Sequence, residues 1–154
     1  MSGVTDNQPY APNAEGLVGV LQDFKATMPM PIVYKIVGYD AVVFENVTQG
    51  DALYCRASDG KLGKAIANDT RDKATVAGIA ETTESAGQKV RAIVRGIVAT
   101  SGLNPGDLYF LSAASAGAIT TTPPSGSGQY VTTIGESGTS AQLIVKLEPP
   151  IKLN

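Results

Sequence analysis

The chain has no histidine and no tryptophan, one cysteine, three phenylalanines and a charged fraction of only 17%. Each shortage closes off a class of chemistry. Without histidine the commonest general base, the commonest metal ligand and the one side chain that titrates unaided near neutral pH are gone. A lone Cys55 builds neither an internal disulfide nor a structural zinc site. Catalysis would have to rest on carboxylates, lysine, tyrosine or serine, so no enzyme is expected, and no catalytic, cofactor-binding or metal residues are assigned. A net charge of −2 excludes binding of a polyanion through bulk positive charge, so no nucleic-acid partner is expected. Low charge with ordinary apolar content also excludes an intrinsically disordered chain. No apolar run approaches the roughly 20 residues that span a bilayer, and no membrane partner is expected. The start, Met1 to Asn7, has neither the basic residues nor the apolar stretch of a signal peptide, which predicts a protein made in the cytosol.

What is present is β-patterned. A length of 154 residues suits one domain with a real core. Residues 1–30 read as an arm. Gln8 to Pro12 cannot propagate a helix. Asn13 is placed to cap a short helix that sets Leu17, Leu21 and Phe24 on one face. Gly16 and Gly19 weaken that helix, and Met28-Pro29-Met30-Pro31 closes the arm. From residue 31 to 154 a barrel-like domain is expected. Its strands are predicted at 32–37, 41–45, 52–57, 75–80, 89–98, 108–111, 118–122, 129–134 and 142–147, separated by turn formers such as Asp59-Gly60 and Asn104-Pro105-Gly106-Asp107. Within Lys89 to Arg95 the charges at 89, 91 and 95 face one way, and Val90, Ala92 and Val94 the other. The fold class is therefore all-β: a small barrel or sandwich of short antiparallel strands, with an extended N-terminal arm holding at most one short helix.

A weak internal duplication runs through the domain, over about 47–98 and 103–147. Gln49-Gly50-Asp51-Ala52-Leu53-Tyr54 is echoed by Pro105-Gly106-Asp107-Leu108-Tyr109-Phe110. Val76 to Glu81 is echoed by Val131 to Glu136, and Ile93-Val94-Arg95 by Ile144-Val145-Lys146. Two such halves can close a small pseudo-symmetric barrel and so remove exposed sheet edges.

These residues carry a likeness. The progression Val47-Thr48-Gln49-Gly50-Asp51, then Ser58-Asp59-Gly60-Lys61-Leu62, then Val76-Ala77-Gly78-Ile79-Ala80 resembles small tailed-phage capsid decoration, or cement, proteins. Gly87 to Arg91 followed by Gly96-Ile97-Val98 matches their next strand. The second half, from Asn104 through Pro124 and on to Leu147-Glu148-Pro149-Pro150-Ile151, is similar to a module common in phage head and tail-fibre proteins. The likeness covers about residues 45–152. It implies a homotrimeric virion protein on the outer capsid surface, assembled in the host cytoplasm, whose partners are the major capsid protein and its own copies. A head-fibre or tail-fibre component is the alternative it leaves. The arm would then reach onto the shell, with Tyr10, Leu17, Leu21 and Phe24 as candidate capsid contacts.

Other patterns carry no function. Gly60-Lys61-Leu62-Gly63-Lys64 lacks the first glycine of a phosphate loop and has Ala65 where Ser or Thr would meet magnesium, so a hairpin tip is expected. Asp69 and Asp72 lack the alternating ligands of a calcium loop. Cys55 is expected to be a buried small hydrophobe, and Glu81 and Glu84 a polar strand end. Charge is −4 over residues 1–53, +3 over 54–95 and −1 over 96–154. From Gly96 to Val145 there is no lysine or arginine, and Asp107 and Glu136 are the only acids. So neutral a stretch is expected to pack partly in a core and partly against sister subunits, since charge is depleted in the centre of stable interfaces.

Overall fold

A computed structural model describes residues 35–154, so the arm assigned to residues 1–30, with Tyr10, Leu17, Leu21 and Phe24, lies outside the described residues. The described part is all-β with one helical turn. Its elements are β1 (Val37–Val42), β2 (Ala52–Cys55), β3 (Leu62–Lys64), α1 (Arg71–Ala74), β4 (Gly78–Ala80) and β5 (Lys89–Ala99). The second half continues with β6 (Leu108–Leu111), β7 (Ile119–Thr120), β8 (Tyr130–Val131), β9 (Thr133–Thr139), β10 (Gln142–Lys146) and β11 (Ile151–Lys152). One antiparallel sheet runs β3-β2-β4-β5-β10-β9-β6-β7, with β1 also paired to β5, and β8 and β11 form a separate ladder.

The two halves of that path mirror each other. In each, a strand after a Gly-Asp turn pairs with a short hairpin partner on one side and, on the other, with a strand that leads into the central β5–β10 pair. The turns bond alike: Gly50 N–H donates to the Ala80 carbonyl at 2.8 Å, and Gly106 N–H to that of Ser137 at 2.9 Å. Ala80 N–H returns to the Asp51 carbonyl, and Ser137 N–H to that of Asp107.

At the long strand β5, Ile93 pairs with both Gly38 and Ile79, and Arg95 with both Val37 and Lys146. A strand has two edges, so β1 must occupy one, and β4 and then β10 the other. Beyond β1 the chain bends over the sheet, where Val43 bridges to Leu62 and Phe44 N–H donates to the Leu62 carbonyl at 3.0 Å.

The sheet curls into a half-barrel, and loops lace its open side. Ala52 N–H donates to the Gly117 carbonyl (2.9 Å), Gly117 N–H to that of Ala65 (2.7 Å), and Ala67 N–H to that of Ser112 (3.0 Å). The Thr132 hydroxyl, fully buried, donates to the Ala74 carbonyl at 2.7 Å. These bonds satisfy backbone groups that the short strands leave over in a dry interior. The concave face holds the main core, drawn from both halves, with Ala52, Ile79, Ile93, Leu111, Leu143 and Val145 among its members. A second cluster lies on the opposite face of the first half, where Leu53, Leu62, Val90 and Ala92 pack under Val43 and Val47. Strands β2 and β4 are consequently buried on both faces, which is why they read as continuous apolar runs without alternation.

The structure moves several predicted elements. The segments expected at 32–37 and 41–45 are one strand in the described part, because Gly38 to Asp40 pairs with β5 instead of turning. The strand expected at 75–80 is reduced to Gly78–Ala80, and a helical turn precedes it. Thr70 caps that turn with its side chain accepting the Lys73 N–H. This one described helical turn lies in the barrel. The β8–β11 ladder, where Ile151 meets Val131, is additional.

Two side-chain orientations are also corrected. In β5 the register slips between Val37 and Gly38, which leaves Val94 unpaired. Val94 is exposed at this bulge, so the expected inward Val90-Ala92-Val94 set fails at its third member, while Ile93 is buried on the opposite face in the main core. Cys55 is exposed, not buried. It ends β2 one residue past Tyr54, beyond the cover that buries Ala52 to Tyr54.

Candidate interaction surface

Among the described residues no group of three or more His, Cys, Asp or Glu is close enough to hold a metal ion, and no helix is long and apolar enough to cross a membrane. The polar candidates have local partners. Asp69 accepts a bond from the Lys73 ammonium at 2.9 Å, Glu81 lies 3.4 Å from Arg91, and the Thr82 hydroxyl bonds Glu84 at 2.9 Å. The 60–64 segment is the return of the β2–β3 hairpin.

That hairpin tip carries the strongest electrostatic effect. The Arg56 guanidinium grips the Asp59 carboxylate at 2.6 and 3.0 Å and itself stacks 3.9 Å from the centre of the Phe44 ring. The guanidinium bonds, aided by the Lys61 N–H, hold the Asp59 carboxyl down at about 2 from the ordinary 3.8. A carboxyl depressed on folding stabilises the fold above its unfolded value, and that contribution is lost as pH falls from 3.8 towards 2. Carbon-detected NMR of the side chain should give a midpoint near 2 in the native protein. Arg56→Gln should return it to the normal carboxylate range.

The feature that remains is a surface. Cross-strand partners share a face of a sheet, so two adjacent rows can be read across the second half. One row, Tyr109–Gly135–Val145–Gly96, is buried throughout. The next, Leu108–Glu136–Ile144–Ile97, points the other way, with Leu108 49% exposed. In the first half both faces of the corresponding strands are covered: Ala52–Ile79–Ile93 lies in the main core and Ala80–Ala92 in the second cluster. Among the described residues no segment covers the second half's convex face as Val43–Val47 covers the first; Leu108 there is exposed and Glu136, Ile144 and Ile97 are half-buried.

Two residues further along β10 and β5, Lys146 lies opposite Arg95, and Arg95 opposite Val37. These side chains, with Val94, Leu147 and Glu148, line a groove of about 530 Å³. Val37 and Val94 are 43% and 36% exposed in it. Lys146 is 3.7 Å from Glu136, whereas Arg95 makes no ion pair among the described residues. Across the stretch from Gly96 to Val145 the only charged residues are Asp107, which is exposed, and Glu136, whose side chain is 46% exposed.

The sequence marked this half as charge-poor but could not indicate which of its side chains stay uncovered. Leu108 and the Val37–Val94 groove were not among the candidate contacts. The signal for them was the Gly-Asp-Leu turn and the Arg95–Lys146 positions, readable only with the strand register. The described residues define a class, an all-β half-barrel. The chain matches no protein-family model, and no curated protein is similar to it.

Proposed function

We propose that the protein is a structural component of a virion, a cement protein that binds the outer capsid surface as a homotrimer and bridges neighbouring capsomers. The observation that carries this reading is the open, charge-poor face of the second half. From Gly96 to Val145 its only charged residues are Asp107 and Glu136, and Leu108, Ile144 and Ile97 stand with Glu136 in one row across four strands. A surface so depleted of charge suits contact with other protein subunits better than lasting exposure to water. The sequence resemblance to phage decoration proteins supports the identity of the shell. In this reading the partners are the major capsid protein and further copies of the chain, and neither nucleic acid nor membrane is engaged.

The mechanism is multivalent. Each arm and each basal surface binds weakly, and linking three of them in one trimer makes detachment slow, because release requires all to let go together. The candidate contacts Tyr10, Leu17, Leu21 and Phe24 would dock the arm on the capsid.

Deleting residues 1–26 tests the arm. The truncated protein should keep its oligomeric mass in light scattering and lose binding to purified expanded capsids in a sedimentation assay. Normal coating of capsids by the truncated form would refute the arm's role. A monomeric mass for the intact protein at micromolar concentration would refute the trimer.

A further inference from the structure

We infer that the chain associates head to tail: the Asp107–Leu108 corner of one copy seats in the Val37–Val94–Leu147 groove of the next, with the Asp107 carboxylate on Arg95 and Lys146. This deepens the structural reading above by naming the surface that joins the copies, and it rests on that reading only for the closure at three.

Four observations lead to it. First, the corner has spare valence. The Asp51 carboxylate, at the matching turn of the first half, accepts the Thr48 N–H at 2.8 Å. At the second turn the Asn104 N–H donates instead to the Tyr109 hydroxyl at 2.9 Å, and the Asp107 carboxylate makes no hydrogen bond or ion pair among the described residues. Leu108 beside it is an exposed leucine next to an acid, and its cross-strand partner Glu136 lies near Lys146.

Second, the groove has the complementary shortage. Arg95 and Lys146 are direct cross-strand neighbours, an arrangement in which like charges repel. Glu136 lies near Lys146 and Glu148 is on the rim, yet Arg95 lies within ion-pair distance of no carboxylate among the described residues. Its apolar lining is Val37, Val94 and Leu147, and about 530 Å³ accommodates a leucine side chain with its flanking backbone.

Third, the chain cannot fill its own groove with its own corner. From β6 through β9 and β10 to β5 there are three strand spacings, about 14 Å, which exceeds the reach of a leucine. A second copy supplies acid and leucine at the same spacing from its own groove.

Fourth, donor and acceptor surfaces differ, so the contact is heterologous. Such contacts close into a ring when the rotation permits and otherwise grow into a filament.

Charge reversal tests this, with circular dichroism confirming the fold of every variant. Asp107→Arg alone and Arg95→Asp alone should each raise the dissociation constant of the oligomer by about 10- to 100-fold in analytical ultracentrifugation. Equimolar mixing of the two single variants should restore association between unlike copies, because each corner then meets a groove of opposite charge, while a three-membered ring keeps one mismatched joint. The double variant D107R/R95D should regain most of the native mass. A disulfide should also form between copies carrying Leu108→Cys and Val94→Cys in a Cys55→Ser background. Native association in both single variants, or no recovery in the double variant, overturns the inference. If the native protein forms the ring yet ignores capsids, the capsid reading fails and this contact stands. If it coats capsids while remaining a monomer in solution and in cross-linking on the shell, the contact fails and the capsid reading stands.

Discussion

Replacing Gly135 by alanine is expected to remove about 3–5 kcal/mol of stability, a large share of what a domain of this size holds. Gly135 sits in β9 with φ of +154°, a conformation that side-chain-bearing residues rarely adopt. It lies in the buried cross-strand row, opposite Val145 and Tyr109, beside the register slip between Thr133 and Gly135. A Cβ built there would fall inside the van der Waals envelope of the Ile144 carbonyl oxygen. That oxygen belongs to the backbone of the adjacent strand, so it cannot swing away as a flexible side chain would. Relief requires β9 and β10 to separate, and this pair carries the open outer row on its other face. Urea unfolding should show the midpoint falling steeply with little change in slope. A variant that keeps its native midpoint would show that the strand pair yields without cost. If the head-to-tail contact holds, the same variant should also lose oligomeric mass, since the Glu136–Ile144 row moves with the strands.

The second large effect is expected from Leu53→Ala, at about 2–5 kcal/mol. Leu53 is fully buried in the smaller cluster, where its neighbours include Ala80, Ala92 and Val43. Alanines pinned in a sheet cannot expand into the space that a leucine vacates, so the cavity persists and the cost lies towards the upper end. The consequence is local before it is global. This cluster is what holds the 43–47 segment over the first half, through Val43 N–H to the Gln88 carbonyl and Val47 N–H to that of Glu84, each at 2.9 Å. Hydrogen exchange should therefore accelerate at Val43 and Val47 more than at Leu111, whose N–H donates to the Thr132 carbonyl inside the main core. Equal acceleration at all three would mean that the two clusters open as one unit.

These predictions turn on features of different legibility. The strand at Leu108–Leu111 follows directly from its apolar run between a turn and a Gly-containing loop, and the hairpin at Asp59-Gly60 from its turn chemistry. The Gly-Asp turns at 50–51 and 106–107 were visible as an echo, and their matching hydrogen bonds have a local cause, because turn geometry is set by a few consecutive residues. The α1 turn was missed although Asn68-Asp69-Thr70 offers a capping residue, since four residues leave no helical period to read. The hairpin joining Thr139 to Gln142 was also missed, because Gly138 to Ser140 lacks a strong turn dipeptide.

The sequence by itself determined the class of fold. Short runs of Val, Ile and Tyr between turn formers make antiparallel strands wherever they are placed, and a chain without histidine has no ready general base. It also marked the second half as poor in charge. Only the tertiary structure decided which face of each strand is wet. Side-chain parity is counted along the strand, so one unpaired residue at Val94 reverses it, and no local pattern announces the bulge. Cover is decided at longer range still. The convex face of the first half is dry because residues 43–47 return across it, while among the described residues no segment lies over the equivalent row of the second half, from Leu108 to Ile97. Composition set how few charges the second half carries; register and chain path set which of its described side chains are exposed.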